Sequence, residues 1–161
     1  MKNCCGACTL NLEEQKVLFY DPNKCSGCLY CMEVCSYKHY GVIDISKAYL
    51  MVALNPEGNP LFINNYCSHC QDPFCMAACP VEPKAISKDT VTGFVLINPA
   101  LCIGCRSCNY ACPISIPFFD ERLRVSVKCD ACKGEFLCAK YCSTGALQVL
   151  PRREVLERVR S

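Results

Sequence analysis

Apolar positions in this chain come in short runs rather than in long stripes. Val17–Tyr20, Tyr49–Leu54, Leu61–Ile63, Phe94–Ile97, Arg124–Val127 and Leu147–Leu150 are each rich in branched, aliphatic or aromatic side chains and bounded by turn formers, which predicts strands. Asn55-Pro56-Glu57-Gly58-Asn59-Pro60 is a turn by composition, so Tyr49–Ile63 predicts a β-hairpin. Helical spacing of apolar residues is clearest in the tail, where Val155, Leu156 and Val159 recur among the charges of Arg152–Arg160. That short amphipathic helix reads either as a frayed terminus or as a docking element. No run is long enough to cross a bilayer. Met1–Tyr20 carries Lys2, Glu13, Glu14 and Lys16 and lacks a signal-type apolar stretch, which points to the cytoplasm.

Composition changes this picture. The 161 residues suffice for one domain, or for two very small ones sharing a core, but 19 of them are cysteine. The hydrophobic fraction of 52% counts those cysteines, so the hydrocarbon core is thin and part of the folding free energy must come from cross-links or metal. The net charge of +2, spread along the chain, gives no field that would favour nucleic acid.

The cysteines are ordered. Cys25-Ser-Gly-Cys28-Leu-Tyr-Cys31-Met-Glu-Val-Cys35 is repeated without a gap by Cys102-Ile-Gly-Cys105-Arg-Ser-Cys108-Asn-Tyr-Ala-Cys112-Pro113. Asp21-Pro22 and Asn98-Pro99 lead into the two copies. Cys67, Cys70, Cys75 and Cys79, and likewise Cys129, Cys132, Cys138 and Cys142, share a widened gap between second and third cysteines. The order is narrow, wide, narrow, wide. A spacing of three residues from third to fourth cysteine is one helical turn, so each third cysteine should open a helix running just past the fourth, limited by Pro80 and Pro113 where these follow.

This spacing suits iron–sulfur chemistry. Two residues between cysteines let one tight loop deliver three thiolates to a cubane, with Gly27 and Gly104 permitting close approach of backbone amides. The fourth, one helical turn on, points away toward a second cluster, as in the C-x2-C-x2-C-x3-C-P run of bacterial ferredoxins. Zinc ribbons use two C-x2-C pairs per metal and have no place for the other cysteines. A disulfide framework would need geometrically allowed partners for cysteines packed at fixed helical spacing. Spacing alone leaves open which motifs pair: first with fourth and second with third, or first with second and third with fourth.

With the hairpin between its first two motifs, the pattern from about Val17 to Leu150 resembles the four-cluster ferredoxin-type electron-transfer subunits that accompany molybdenum or tungsten pterin oxidoreductases, hydrogenases and carbon monoxide dehydrogenase. Cys67-Ser-His-Cys70-Gln-Asp-Pro-Phe-Cys75-Met-Ala-Ala-Cys79-Pro80 is its most specific segment. The chain departs from that family at Ser36 and Ser143, where proline is common, at Pro83-Lys84-Ala85, where Thr-Gly-Ala is usual, and in a short Cys132–Cys138 gap. The resemblance implies an α+β fold of two pseudo-symmetric dicluster halves, residues 17–48 with 125–150 and residues 61–124, with 1–16 an extension and 151–161 a tail helix. It implies four [4Fe–4S] clusters and decides the pairing. Cys25, Cys28, Cys31 and Cys142 would hold one, and Cys129, Cys132, Cys138 and Cys35 its neighbour. Cys67, Cys70, Cys75 and Cys112 would hold a third, and Cys102, Cys105, Cys108 and Cys79 the fourth.

The implied function is electron relay between a large catalytic subunit, an aldehyde oxidoreductase-type pterin enzyme being favoured, and a soluble carrier, flavin or further subunit. The alternatives are a free-standing polyferredoxin, the corresponding subunit of carbon monoxide dehydrogenase or hydrogenase, and an iron–sulfur redox sensor, for whose effector domain there is no room. With two histidines and no serine–histidine–acid spacing, nothing suggests catalysis by this chain. His69 reads as packing beside a cluster and donating a hydrogen bond, and His39 as solvated beyond a helix. Cys4, Cys5 and Cys8 read as spare or partner-facing thiols, an extra metal site shared with another subunit, or a redox link between chains.

Overall fold

Each cysteine motif sits between short paired strands. The computed structural model describes residues 11–160; Cys4, Cys5 and Cys8 lie outside them. β1 (Lys16–Tyr20) leads into the first motif, whose helix α1 spans Tyr30–Tyr40. β2 (Met51–Leu54) and β3 (Phe62–Asn65) follow, then α2 (Phe74–Ala77), β4 (Ile86–Lys88), β5 (Val95–Ile97) and α3 (Ser107–Ala111). β6 (Phe118–Asp120), β7 (Val125–Val127), α4 (Leu137–Lys140), β8 (Leu147–Pro151) and α5 (Arg152–Arg160) complete the order.

The strands form two-stranded antiparallel ribbons: β1 with β8, β2 with β3, β4 with β5 and β6 with β7. β1–β8 joins the two ends of the described chain, in register from Lys16↔Pro151 to Tyr20↔Leu147. The helices pair in the same nested way, α1 on α4 and α2 on α3. A two-stranded ribbon is marginal alone, so the ribbons depend on what they pack against.

They pack on two cores. Leu18, Met32, Tyr49, Leu50, Val52, Phe136 and Leu147 belong to the larger, built from the first and last thirds of the chain. Ile86, Val95 and Cys108, flanked by Met76, Ile97 and two more cysteines, make the smaller from the middle. β5 divides them by strand alternation: Phe94, just before it, enters the larger core and Val95 the smaller. Phe94 sits edge-on to Phe136, 5.7 Å between ring centroids.

Three helices are shorter than the spacing suggests. Only α1 runs past its fourth cysteine, and the left-handed Gly41 (φ 69°) closes it with its N–H on Tyr37 O at 2.8 Å. α2, α3 and α4 end before Cys79, Cys112 and Cys142. Residues preceding Pro80 and Pro113 are pushed toward extended backbone, as Cys112 is (φ −81°, ψ 123°). After α4, a turn brings the Gly145 N–H onto Cys142 O and hands the chain to β8. β4 and β6 had no signal in the sequence; each has three residues and exists by pairing with a neighbour that did.

Candidate metal centres

The loops carrying the first three cysteines of the narrow motifs repeat in backbone detail. Gly27 and Leu29 stand at φ 68° and 60°, and Gly104 and Arg106 at 71° and 63°. Alternation into the left-handed region turns successive N–H groups to one side, the arrangement that cradles anions. A Cβ at Gly27 would run into the Phe62 ring, and one at Gly104 into the Arg124 carbonyl. The wide motif of the fourth segment instead has three consecutive non-glycines in the left-handed region, Ala131, Cys132 and Lys133 at φ 57°, 48° and 56°. His69 (φ 46°) holds the corresponding turn of the second.

Around these loops the sixteen described cysteines are all free thiols, and eight of them line two cavities in fours. Cys25, Cys28, Cys31 and Cys142 line one cavity, and Cys79, Cys102, Cys105 and Cys108 line another. In both, three sulfurs come from one loop and the fourth from the motif whose helix packs alongside. Charge repulsion also acts among cysteines of the other motifs. Burial first, then Cys129, Cys35, Cys132 and Cys31, push the Cys138 thiol up. Burial, with Cys67 and Cys112 adding to it, raises Cys75 to about 11.

The thiol chemistry suits a bound iron–sulfur group. Burial drives Cys31 and Cys129 up to about 12, so as free thiols they resist forming the thiolates that metal binding needs, and a metal cluster would supply the compensating charge. Backbone amides already address the sulfurs. Tyr49 N–H donates to Cys35 Sγ at 3.2 Å, and His69, Ser126, Ala131 and Leu147 donate to Cys67, Cys102, Cys129 and Cys142, each at 3.4 Å. The Asn64 side chain, in the wall of the Cys25 cavity, has its amide nitrogen and oxygen buried with no protein partner. It is an orphan that a sulfide-bearing group would satisfy.

The histidines differ from the sequence reading. His39 is not solvated: it lies in the last turn of α1, with Nδ1 2.8 Å from the Cys35 carbonyl and Nε2 3.1 Å from Asp130. Although burial opposes it, the contacts with Asp130 and Cys35 raise its pKa to about 10. His39, Asp130 and Cys132 offer ligand atoms within 4.8 Å of one another, but the histidine and carboxylate already satisfy each other. His69 is buried, and its ring accepts rather than donates: Nδ1 takes the Val95 N–H at 3.0 Å. The ring proton is thereby placed on Nε2, which has no protein partner.

Two lysines escaped the sequence reading. Lys84, at the Pro-Lys-Ala departure, donates to Met76 O, Ala77 O and Cys79 O at 3.0–3.2 Å and so caps the carbonyl end of α2. Lys128 is 4% exposed and reaches Cys67 Sγ at 3.2 Å. Its one sequence signal was its place between an apolar strand and Cys129, where a charge is costly unless paired.

Residues 59–152 match the family described as the 4Fe-4S dicluster domain. An anaerobic dimethyl sulfoxide reductase chain from Haemophilus influenzae is 30% identical over 160 residues, spanning 88% of this chain and 77% of that one. The polyferredoxin-like subunit of an aliphatic sulfonate oxidoreductase from Pyrococcus furiosus is 35% identical over 132 residues, covering 81% and 73% of the two. A tetrathionate reductase subunit from Archaeoglobus fulgidus is 32% identical over 120 residues, covering 74% of this chain and 56% of that one.

Proposed function

This chain belongs to the 4Fe-4S dicluster family, and from that premise we propose that it is the electron-transfer subunit of a multisubunit oxidoreductase, holding four [4Fe–4S] clusters by crossed ligation. Cys25, Cys28, Cys31 and Cys142 serve one site, and Cys129, Cys132, Cys138 and Cys35 the second. Cys67, Cys70, Cys75 and Cys112 serve the third, and Cys102, Cys105, Cys108 and Cys79 the fourth. The observation that carries the reading is the lining of two separate cavities by three cysteines of one motif and one of another. The α1–α4 and α2–α3 packing supports pairing first with fourth and second with third.

When bound, such a cluster takes up and releases one electron without opening a coordination site. The chain's own part is to fix four thiolates per site, direct amide N–H groups at the sulfurs and keep hydrocarbon around the rest, which together set the potential. Exposed Cys28, Cys70 and Cys105 bring the sites to the surface, where a partner can approach.

Catalysis is assigned to that partner. Relatives named as components of dimethyl sulfoxide, sulfonate and tetrathionate oxidoreductases support a large catalytic companion. Within that class our reading is a tungsten or molybdenum pterin enzyme, such as an aldehyde oxidoreductase, which rests on the resemblance to the subunits that accompany such enzymes. No helix of the described residues is long and apolar enough to cross a membrane.

Anaerobic purification tests both levels. The chain should carry about sixteen iron and sixteen acid-labile sulfide, and a stoichiometric large subunit containing tungsten or molybdenum should co-purify. Zinc as the main metal, or about eight iron, overturns the four-cluster reading; the absence of a large subunit favours a free-standing polyferredoxin.

A further inference from the structure

The larger and smaller cores meet at a seam, and one side chain crosses it. Lys128 precedes Cys129, whose thiol belongs with the outer motifs, yet its Nζ lies 3.2 Å from the sulfur of Cys67, which belongs with the middle ones. Nζ also donates to the Cys129 carbonyl at 3.1 Å and to the Val95 carbonyl. An ammonium has three N–H donors, and here each has an acceptor, so the cation is fully committed although only 4% of the residue is exposed.

Nothing in the fold requires a charge at this point. A methionine would fill the same volume, and burying an ammonium is costly unless anionic partners repay it. Among the described residues the ammonium has no carboxylate partner; its only anionic contact is sulfur. Its reach spans the seam: Nζ meets the Cys67 sulfur on one side and the backbone of Cys129 on the other.

We propose that Lys128 is a potential-setting residue that stabilises the reduced, more negative state of the two sites flanking the seam, those of Cys67 and of Cys129, while leaving the Cys25 and Cys102 sites untouched. This rests on the crossed four-site reading above. A fixed positive charge close to a redox group raises its reduction potential, and low-dielectric surroundings enlarge the effect.

The test uses the full chain loaded with iron and sulfide, comparing the unmodified protein with Lys128→Met and Lys128→Arg in redox titrations followed by EPR. Lys128→Met should retain the full iron content. In two of its four components the reduced-to-oxidised ratio at a fixed potential should fall about tenfold, a shift of about 59 mV for a one-electron couple. The other two should stay in place, and Lys128→Arg should restore the shifted pair. Four unmoved components, or four moving equally, overturn the lysine's role while leaving the sites intact. Iron well below sixteen in the unmodified chain overturns the site reading and the lysine's role together. If Lys128→Met does not assemble, pulsed EPR of the unmodified chain labelled with 15N-lysine decides. Among the described residues only Lys128 places Nζ against a cysteine sulfur, so a through-bond 15N coupling is expected and its absence overturns the proposal.

Discussion

The two cores of this protein are unequal, although the motifs that flank them are alike. Twelve buried residues cluster in the outer core, including Leu18, Leu50, Phe94, Phe136 and Leu147, whereas three cluster in the middle one, and one of those is Cys108. Hydrocarbon burial contributes roughly 25 cal/mol per Å². The larger core therefore has a source of stability independent of its thiols, and the region of the smaller core, with its three-residue strands β4, β5 and β6, would have little besides the proposed ligation. Two regions that share the proposed coordination scheme would then differ in how far folding depends on it.

The largest effect expected from that contrast is on removing iron. After anaerobic chelation, amide exchange followed by mass spectrometry should show residues 67–112 losing all protection, while β1, β8 and α1 keep part of theirs. Equal loss in both halves would mean that the outer core does not stand alone. Native-like cooperative unfolding of the whole apoprotein would show that ligation stabilises neither half.

Next in size is Cys35→Ser. It should disturb the site of Cys129, Cys132 and Cys138, costing up to about four iron per chain, while the EPR of the Cys67 and Cys102 sites stays as in the parent. Loss confined to the site of Cys25, Cys28 and Cys31 would refute crossed ligation.

Phe136→Ala probes the outer core directly. Phe136 is 3% exposed and packs on Phe94, so its removal should cost about 3–5 kcal/mol, read as a lower denaturant midpoint with iron content initially intact. An unchanged midpoint would mean that ligation dominates there too.

The smallest effect is expected from replacing Cys4, Cys5 and Cys8 together by serine. Iron content should not change, because every proposed site is complete without them. A drop of about four iron would reveal a further site.

Spacing made the cysteine motifs more legible than the strands. The four motifs, the strands that become β1 and β8, and the tail helix could be read because cysteine spacing and apolar runs are local signals. β4 could not, since Ile86-Ser87-Lys88 has one apolar residue and becomes a strand only against Val95–Ile97. His39 looked solvated because its partner, Asp130, is 91 residues away. Lys128 and Asn64 were invisible for a similar reason: what matters about them is a sulfur or a cavity supplied by a distant segment.

The pairing of β1 with β8 has a consequence for how the protein is made. A chain emerging from the ribosome normally completes its N-terminal parts first. Here β1 and α1 emerge early but must wait for β8 and α4, at the far end, whereas α2 and α3 find each other within a short stretch of chain. At about 5–20 residues per second, the hundred-odd residues between Cys35 and Cys142 take roughly 5–20 s to appear. During that interval the first motif is a set of unpaired thiols, open to oxidation or to the wrong metal. Whatever delivers iron and sulfide can thus finish the middle of the molecule while its beginning is still unprotected.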